Sequence, residues 1–227
     1  MTITIISLAL IPVIILTVML LVTDRHNREP ARLLAKVFIF GLLVSIPVLI
    51  IQVLLNSVSS ATGIFGIIFQ AFIVAGLTEE YMKRMVVMKF AFRNPAFDEK
   101  LDGIIYCAFA ALGFAAIENV LYLISYYPTQ PSVALYRAVF SVPGHMLFGI
   151  TMGYYLSLSK YCSDPVLRRK YFSRSLIYPV LMHGTFNFLL SINIPMLLAF
   201  VPFVVFLWFY NMKKLNKFYR ESRNIAQ

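Results

Sequence analysis

Apolar residues in this chain fall in long runs divided by short polar connections, without the two-residue alternation of a half-buried strand. The first run, TITIISLALIPVIILTVMLLV, gives way to DRHNREPAR. Further runs cover residues 33–55, 64–92, 103–125, 135–158, 175–191 and 196–212. A helix of about 20 apolar residues crosses the hydrocarbon core. In lipid, every backbone group must be satisfied within the spanning structure, which leaves helices as the only candidates here. The pattern therefore predicts an all-α polytopic membrane helix bundle of seven transmembrane helices. No internal repeat or low-complexity linker divides the chain, so residues 1–227 are expected to form one domain.

Composition agrees with this reading. The chain is 60% hydrophobic and 13% charged, with a mean hydropathy of +0.79, which excludes an ordinary soluble domain. A net charge of +10 would suggest nucleic acid in a soluble protein. Here the placement of the cations gives another reason for it, and no nucleic-acid partner is expected. Lys and Arg collect in every second connection: DRHNREPAR, the stretch holding Arg93 and Lys100, KYCSDPVLRRKYFSR, and KKLNKFYRESR. The alternate connections NSVSSATG, YYPTQPS and INIP carry no charge, and Arg137 is the one cation near them. The positive-inside rule then puts the N-terminus outside and the C-terminus in the cytoplasm. The first run has no positive n-region, and Asp24 and Arg25 follow it without a small-residue cleavage site, so it is expected to remain as a helix. Cys107 and Cys162 both fall on the cytoplasmic side, where a structural disulfide is not expected. Trp208, Phe209 and Tyr210 read as an interfacial belt, and Lys89 as a snorkelling cation.

Few ionisable groups remain at membrane depth: Glu79, Glu80, Lys83 and Arg84 in GLTEEYMKR, then Glu118, His145 and His183. Such residues cost a few kcal/mol each at the bilayer centre, and they normally face the bundle interior and mark a site. At about 1.5 Å per residue, Glu118, His183 and His145 lie roughly 10, 12 and 15 Å from the outer ends of their helices, and Glu79 about 20 Å. Gly63, Gly66 and Gly76 make the geometry of the third helix less regular than that sum assumes.

Two histidines beside carboxylates suit zinc, and catalytic zinc sites commonly combine three protein ligands with one open position. His145, His183 and Glu118 are the expected ligands. A further carboxylate, Glu79 or Glu80, would take the proton from the metal-bound water. On a helix Glu80 faces Arg84 and Glu79 faces Lys83, each at i,i+4, so an ion pair is expected to hold one glutamate while the other acts. Asn187, one turn after His183, is placed to orient a ligand or to donate to an oxyanion, and Asn119 and Tyr122 offer similar donors beside Glu118. Pro143, Gly144 and Gly184 permit kinks or close backbone approach. Asp98 and Glu99 read as a solvated loop, and Asp102 as a cap for the fourth span. The same Glu and His residues would also suit a proton-coupled or cation transporter. Seven helices without a visible inverted repeat count against that alternative.

The segments EEYMK (79–83), LDGIIYCA (101–108), GFAAIENVLYL (113–123), GHMLFGITMGYYL (144–156) and HGTFNFLL (183–190) resemble the PrsW family of intramembrane proteases over nearly the whole chain. That family is related to the type II CAAX prenyl endopeptidases and their Abi relatives, whose signature begins EExxxR. EEYMKR fits both forms, with Lys83 and Arg84 at the two positions. The resemblance implies a multi-pass protein of the bacterial cell membrane that cuts a single-pass membrane protein, an anti-sigma factor, and so frees a sigma factor in a stress response. It also implies functional roles for Glu79, Glu80, Glu118, His145 and His183. Two departures stand out. Phe140 lies five residues before His145 where the relatives have FxxxH, and Asn187 stands where PrsW-like sequences have Asp.

Overall fold

The computed structural model describes residues 2–192, 195 and 198–225. Among these residues there is no strand, and seven long helices carry the chain. They are α1 (Thr2–Thr23), α2 (Ala31–Val58), α3 (Gly63–Phe90), α4 (Lys100–Tyr126), α5 (Ser132–Tyr161), α6 (Pro165–Ser191) and α7 (Phe200–Ile225). By length and composition, five of them, α1 to α5, are apolar enough to cross a membrane. The protein is an all-α polytopic membrane bundle. The expected start of the seventh span, at 196, lies outside the described residues.

Local sequence explains where these helices start and where they lose regularity. Asp164 caps α6, its Oδ1 accepting from the backbone N–H groups of Val166 and Leu167, and Pro165 occupies the first turn, where no N–H is needed. A capping box of Glu99 and Asp102 opens α4, with Asp102 Oδ2 accepting from the N–H of Asp98 at 2.8 Å and of Glu99 at 2.7 Å. Asp102 is thus part of a cap as expected, but Glu99 is buried and bonded to Ser222 rather than solvated. Having no N–H, Pro47 removes the bond to the carbonyl of Leu43, and α2 is interrupted beside it, at Val44. Phe69–Leu77 of α3 and Arg137–Ser141 of α5 are π-helical. Both segments lie just before expected site residues, Glu79 in one helix and His145 in the other. Their wide turns advance less per residue than an α-helix. The ideal rise therefore overstates the depth of Glu79.

Helix α4 forms the centre, buried along most of its length against α5, α2 and α1. Small residues let the backbones meet. Gly149 and Gly153 in GITMG form a GxxxG face on α5, where a Cβ at Gly149 would come within 2.8 Å of the Cys107 carbonyl and one at Gly153 would overlap the Gly103 carbonyl. Gly153→Ala is expected to cost about 1–3 kcal/mol, read as a thermal midpoint lowered by roughly 2–10 °C. Gly144→Ala, whose Cβ would meet nothing closer than 3.5 Å, should leave the midpoint unchanged. Equal midpoints for the two variants would refute the close approach.

Candidate active site

The α4–α5 contact sets Glu118 beside His145, while the approach of α3 to α6 sets the glutamate pair beside His183. At Gly76, a Cβ would lie 3.1 Å from the Val180 carbonyl of α6, so the third helix comes close just before the glutamates. All the expected ionisable residues except Arg84 join one buried cluster.

Lys83 is its hub. Its Nζ lies 2.8 Å from Glu80 Oε1, 3.4 Å from Glu79 Oε2 and 3.0 Å from His145 Nδ1, and sits 4.3 Å above the centre of the Phe114 ring. An ammonium can only donate, so Nδ1 of a neutral His145 accepts and its Nε2–H donates to Glu118 Oε2 at 2.9 Å. His183 is oriented the other way. Its Nδ1–H donates to Glu80 Oε1 at 2.9 Å, leaving Nε2 directed toward Glu79 Oε2 at 3.8 Å. The His183 ring stacks on Phe148 with centroids 5.0 Å apart, which fixes its plane.

The two glutamates differ in their surroundings. Glu80 is fully buried behind His183, and its Oε2 has no hydrogen-bond partner. Glu79 faces a cavity of about 500 Å³ and accepts there from Gln52 Nε2 at 3.2 Å. Glu118, His145, His183 and Asn187 line the same cavity. The expected Glu80–Arg84 pair does not form. Arg84 turns to α6, donating to the Phe172 carbonyl at 3.0 Å and covering the Phe172 ring at 4.0 Å. Lys83 instead serves both carboxylates, since i,i+3 and i,i+4 neighbours share one helix face.

Arg137, which charge counting set aside as a stray outer cation, belongs to the cluster. Its Nη2 donates to Glu118 Oε2 at 2.6 Å, its Nε donates to Asn119 Oδ1 at 2.7 Å, and its guanidinium covers the Tyr122 ring at 4.0 Å. Asn119 also donates to the Ala9 carbonyl at 2.8 Å, so it ties α1 and Arg137 to α4 and does not line the cavity. The available signal for Arg137 was its isolation: a lone Arg beside otherwise uncharged connections. Gln52 carried no comparable signal, because its relation to Glu79 spans two helices.

One donor atom each from Glu79, His145 and His183 lies within 4.8 Å of the others. This set, rather than the expected Glu118, His145 and His183, converges on one point. Two imidazoles and a carboxylate match zinc chemistry, and Glu80 on the far nitrogen of His183 is the usual outer partner of such a ligand. The ion pairs set three carboxylates against two cations, an imbalance that favours a further positive charge. The residues therefore fit a metal, on the condition that His145 exchanges its bond with Lys83 or Glu118 for one to the ion.

Residues 29–212 match the model of a family described as PrsW family intramembrane metalloprotease. The chain is 37% identical to Protease PrsW of Clostridioides difficile (strain 630), over 96% of this chain and 92% of that protein. It is 34% identical to Protease PrsW of Bacillus subtilis (strain 168), over 94% of each. With Protease PrsW of Oceanobacillus iheyensis it shares 38% identity over 83% of this chain and 86% of the other. No solved structure matches the chain. A buried Glu and His cluster opening on a cavity inside a bundle of membrane helices, together with these matches, shows that the chain belongs to the PrsW family of intramembrane proteases.

Proposed function

We propose that the protein cuts a membrane-anchored anti-sigma factor, with Glu79 as the general base. The carrying observation is the contrast within the glutamate pair: Glu79 faces the cavity while Glu80 is sealed behind His183. A water beside Glu79 loses its proton to the carboxylate as its oxygen attacks the scissile carbonyl carbon. The same proton then passes to the departing amine as the C–N bond breaks. Asn187 lines the cavity one turn from His183 and is the proposed donor to the oxyanion. Glu80, Lys83, Asn119, Tyr122 and Arg137 position the reacting groups, and Arg84 braces α3 against α6.

Zinc is the proposed metal, held by His145, His183 and Glu79; when bound, it would acidify a coordinated water and polarise the carbonyl. Glu79 has an oxygen for each task, Oε2 on the His183 side and Oε1 on the Gln52 side. Purified protein is expected to hold about one zinc per chain by elemental analysis, and less after His183→Ala. Metal-free protein that stays fully active and ignores strong chelators would leave only the glutamate and water. We also propose seven spans with the N-terminus outside, supported by the alternation of basic and uncharged connections.

The test of the whole reading is reconstitution. Liposomes carrying the protein and single-span anti-sigma factors should yield one cut near the outer side of the substrate span. Substrates left intact by the unmutated chain, but cut in cells that lack it, would sink the assignment. Nothing in the fold or the comparisons supports the transporter alternative.

A further inference from the structure

Beyond the catalytic cluster, the cavity wall carries a row of carboxamides that hydrolysis itself does not use. Ser45, Leu49, Gln52 and Asn56 line it from α2, spaced so that they share one helix face. Gln70 lines it from α3 and donates to Asn56 Oδ1. Asn56 and Gln70 are exposed near the outer end of the cavity, and Gln52 is half-buried where the row reaches Glu79. The Gln70–Asn56 bond uses one donor and one acceptor. The Asn56 amino group and Gln70 Oε1 are left for another partner.

A peptide bond in a helix cannot be cut until the segment unwinds, and unwinding in hydrocarbon exposes N–H and C=O groups at several kcal/mol each. A wall able to accept such a segment must offer donors and acceptors together, and a carboxamide side chain offers both. The spacing also fits. Gln52 and Asn56 lie one turn apart, about 5.4 to 6 Å along the axis. Backbone groups on one edge of an extended chain recur every second residue, at about 6.6 Å. The difference is well within the reach of two side chains.

We infer that Gln52, Asn56 and Gln70 form a backbone-binding subsite that holds the substrate segment extended, from the outer rim toward Glu79. This rests on the protease reading above and deepens it. Because carboxamides pair with the main chain, the subsite selects for a segment that unwinds readily, rich in Gly, Ser or β-branched residues, over any particular side-chain sequence. It rejects substrates that lack an N–H at the paired positions.

The experiment reads binding rather than cleavage. The probe is a synthetic single-span Leu-Ala peptide with a short Gly-Ser segment at its outer end, made with each segment nitrogen N-methylated in turn. Its affinity for full-length Glu79→Gln protein in detergent is compared with that for Glu79→Gln carrying Asn56→Leu and Gln70→Leu. N-methylation of the one segment nitrogen that meets Gln70 Oε1 should weaken binding roughly tenfold in the first protein and leave it nearly unchanged in the second. Gln70→Met alone, which keeps the side-chain length, should cancel that penalty. Penalties of equal size in both proteins, or none at any position, overturn the subsite. Binding that shows the signature, with no cleavage by the unmutated chain, would remove the catalytic assignment of Glu79 and leave the subsite standing. Cleavage indifferent to N-methylation would do the reverse.

Discussion

Glu79→Gln is expected to abolish cleavage, by roughly 10²- to 10⁴-fold, while the protein folds as before. The carboxamide keeps the volume of the carboxylate, and its oxygen can still accept from Lys83 while its amino group meets Gln52, whose own oxygen accepts after an amide flip. Lys83 keeps Glu80 at 2.8 Å, so no buried cation is orphaned. Glu80→Gln acts through His183 instead. It replaces the anion that holds Nδ1–H with a neutral amide, an outer-partner change that typically costs 10- to 100-fold in activity or metal affinity. Cleavage rates and thermal midpoints of both variants in detergent check the assignment. An inactive Glu80→Gln beside a nearly normal Glu79→Gln would reverse the two roles, and two active variants would remove the pair from the chemistry.

Lys83→Met should do the greatest damage to stability. Methionine fills much of the same space, but Glu79 and Glu80 would then face each other without their shared cation, each almost wholly buried. Removing one partner of a buried ion pair costs about 3–5 kcal/mol. Arg84→Met gives the contrast. That residue has no carboxylate partner, so its loss removes a hydrogen bond to a carbonyl and a ring contact, about 1–3 kcal/mol together. Adding Glu79→Gln and Glu80→Gln to Lys83→Met should recover most of the lost stability, because the uncompensated charges are then gone. Thermal unfolding of the four proteins reads all three differences. A larger loss for Arg84→Met than for Lys83→Met would mean that the arginine neutralises the pair.

Helix class and the buried cluster of Glu, His and Lys were legible along the chain because both follow from the cost of lipid, whereas Arg137 and Gln52 were not. An apolar run long enough to span must be helical, and any Glu, His or Lys left inside it must be turned toward other polar groups. The runs of GLTEEYMKR, ENVLY and HGTFN therefore announced a buried cluster without any knowledge of packing. Which side chain meets which was a different matter. On one helix face Glu80 can reach a cation at i+3 or at i+4, and sequence treats Lys83 and Arg84 alike. The tertiary structure chose Lys83, because α6 presents the Phe172 carbonyl and ring to Arg84 and α5 presents His145 to Lys83. It likewise gave Glu118 to Arg137 and set Glu79 with the two histidines. These pairings depend on the close contact of α4 and α5 at Gly103 and Gly153, and on π-helical turns that rotate the faces just ahead of Glu79 and His145. Hydropathy carries no record of that rotation, since the same residues are apolar or charged whichever way the helix turns.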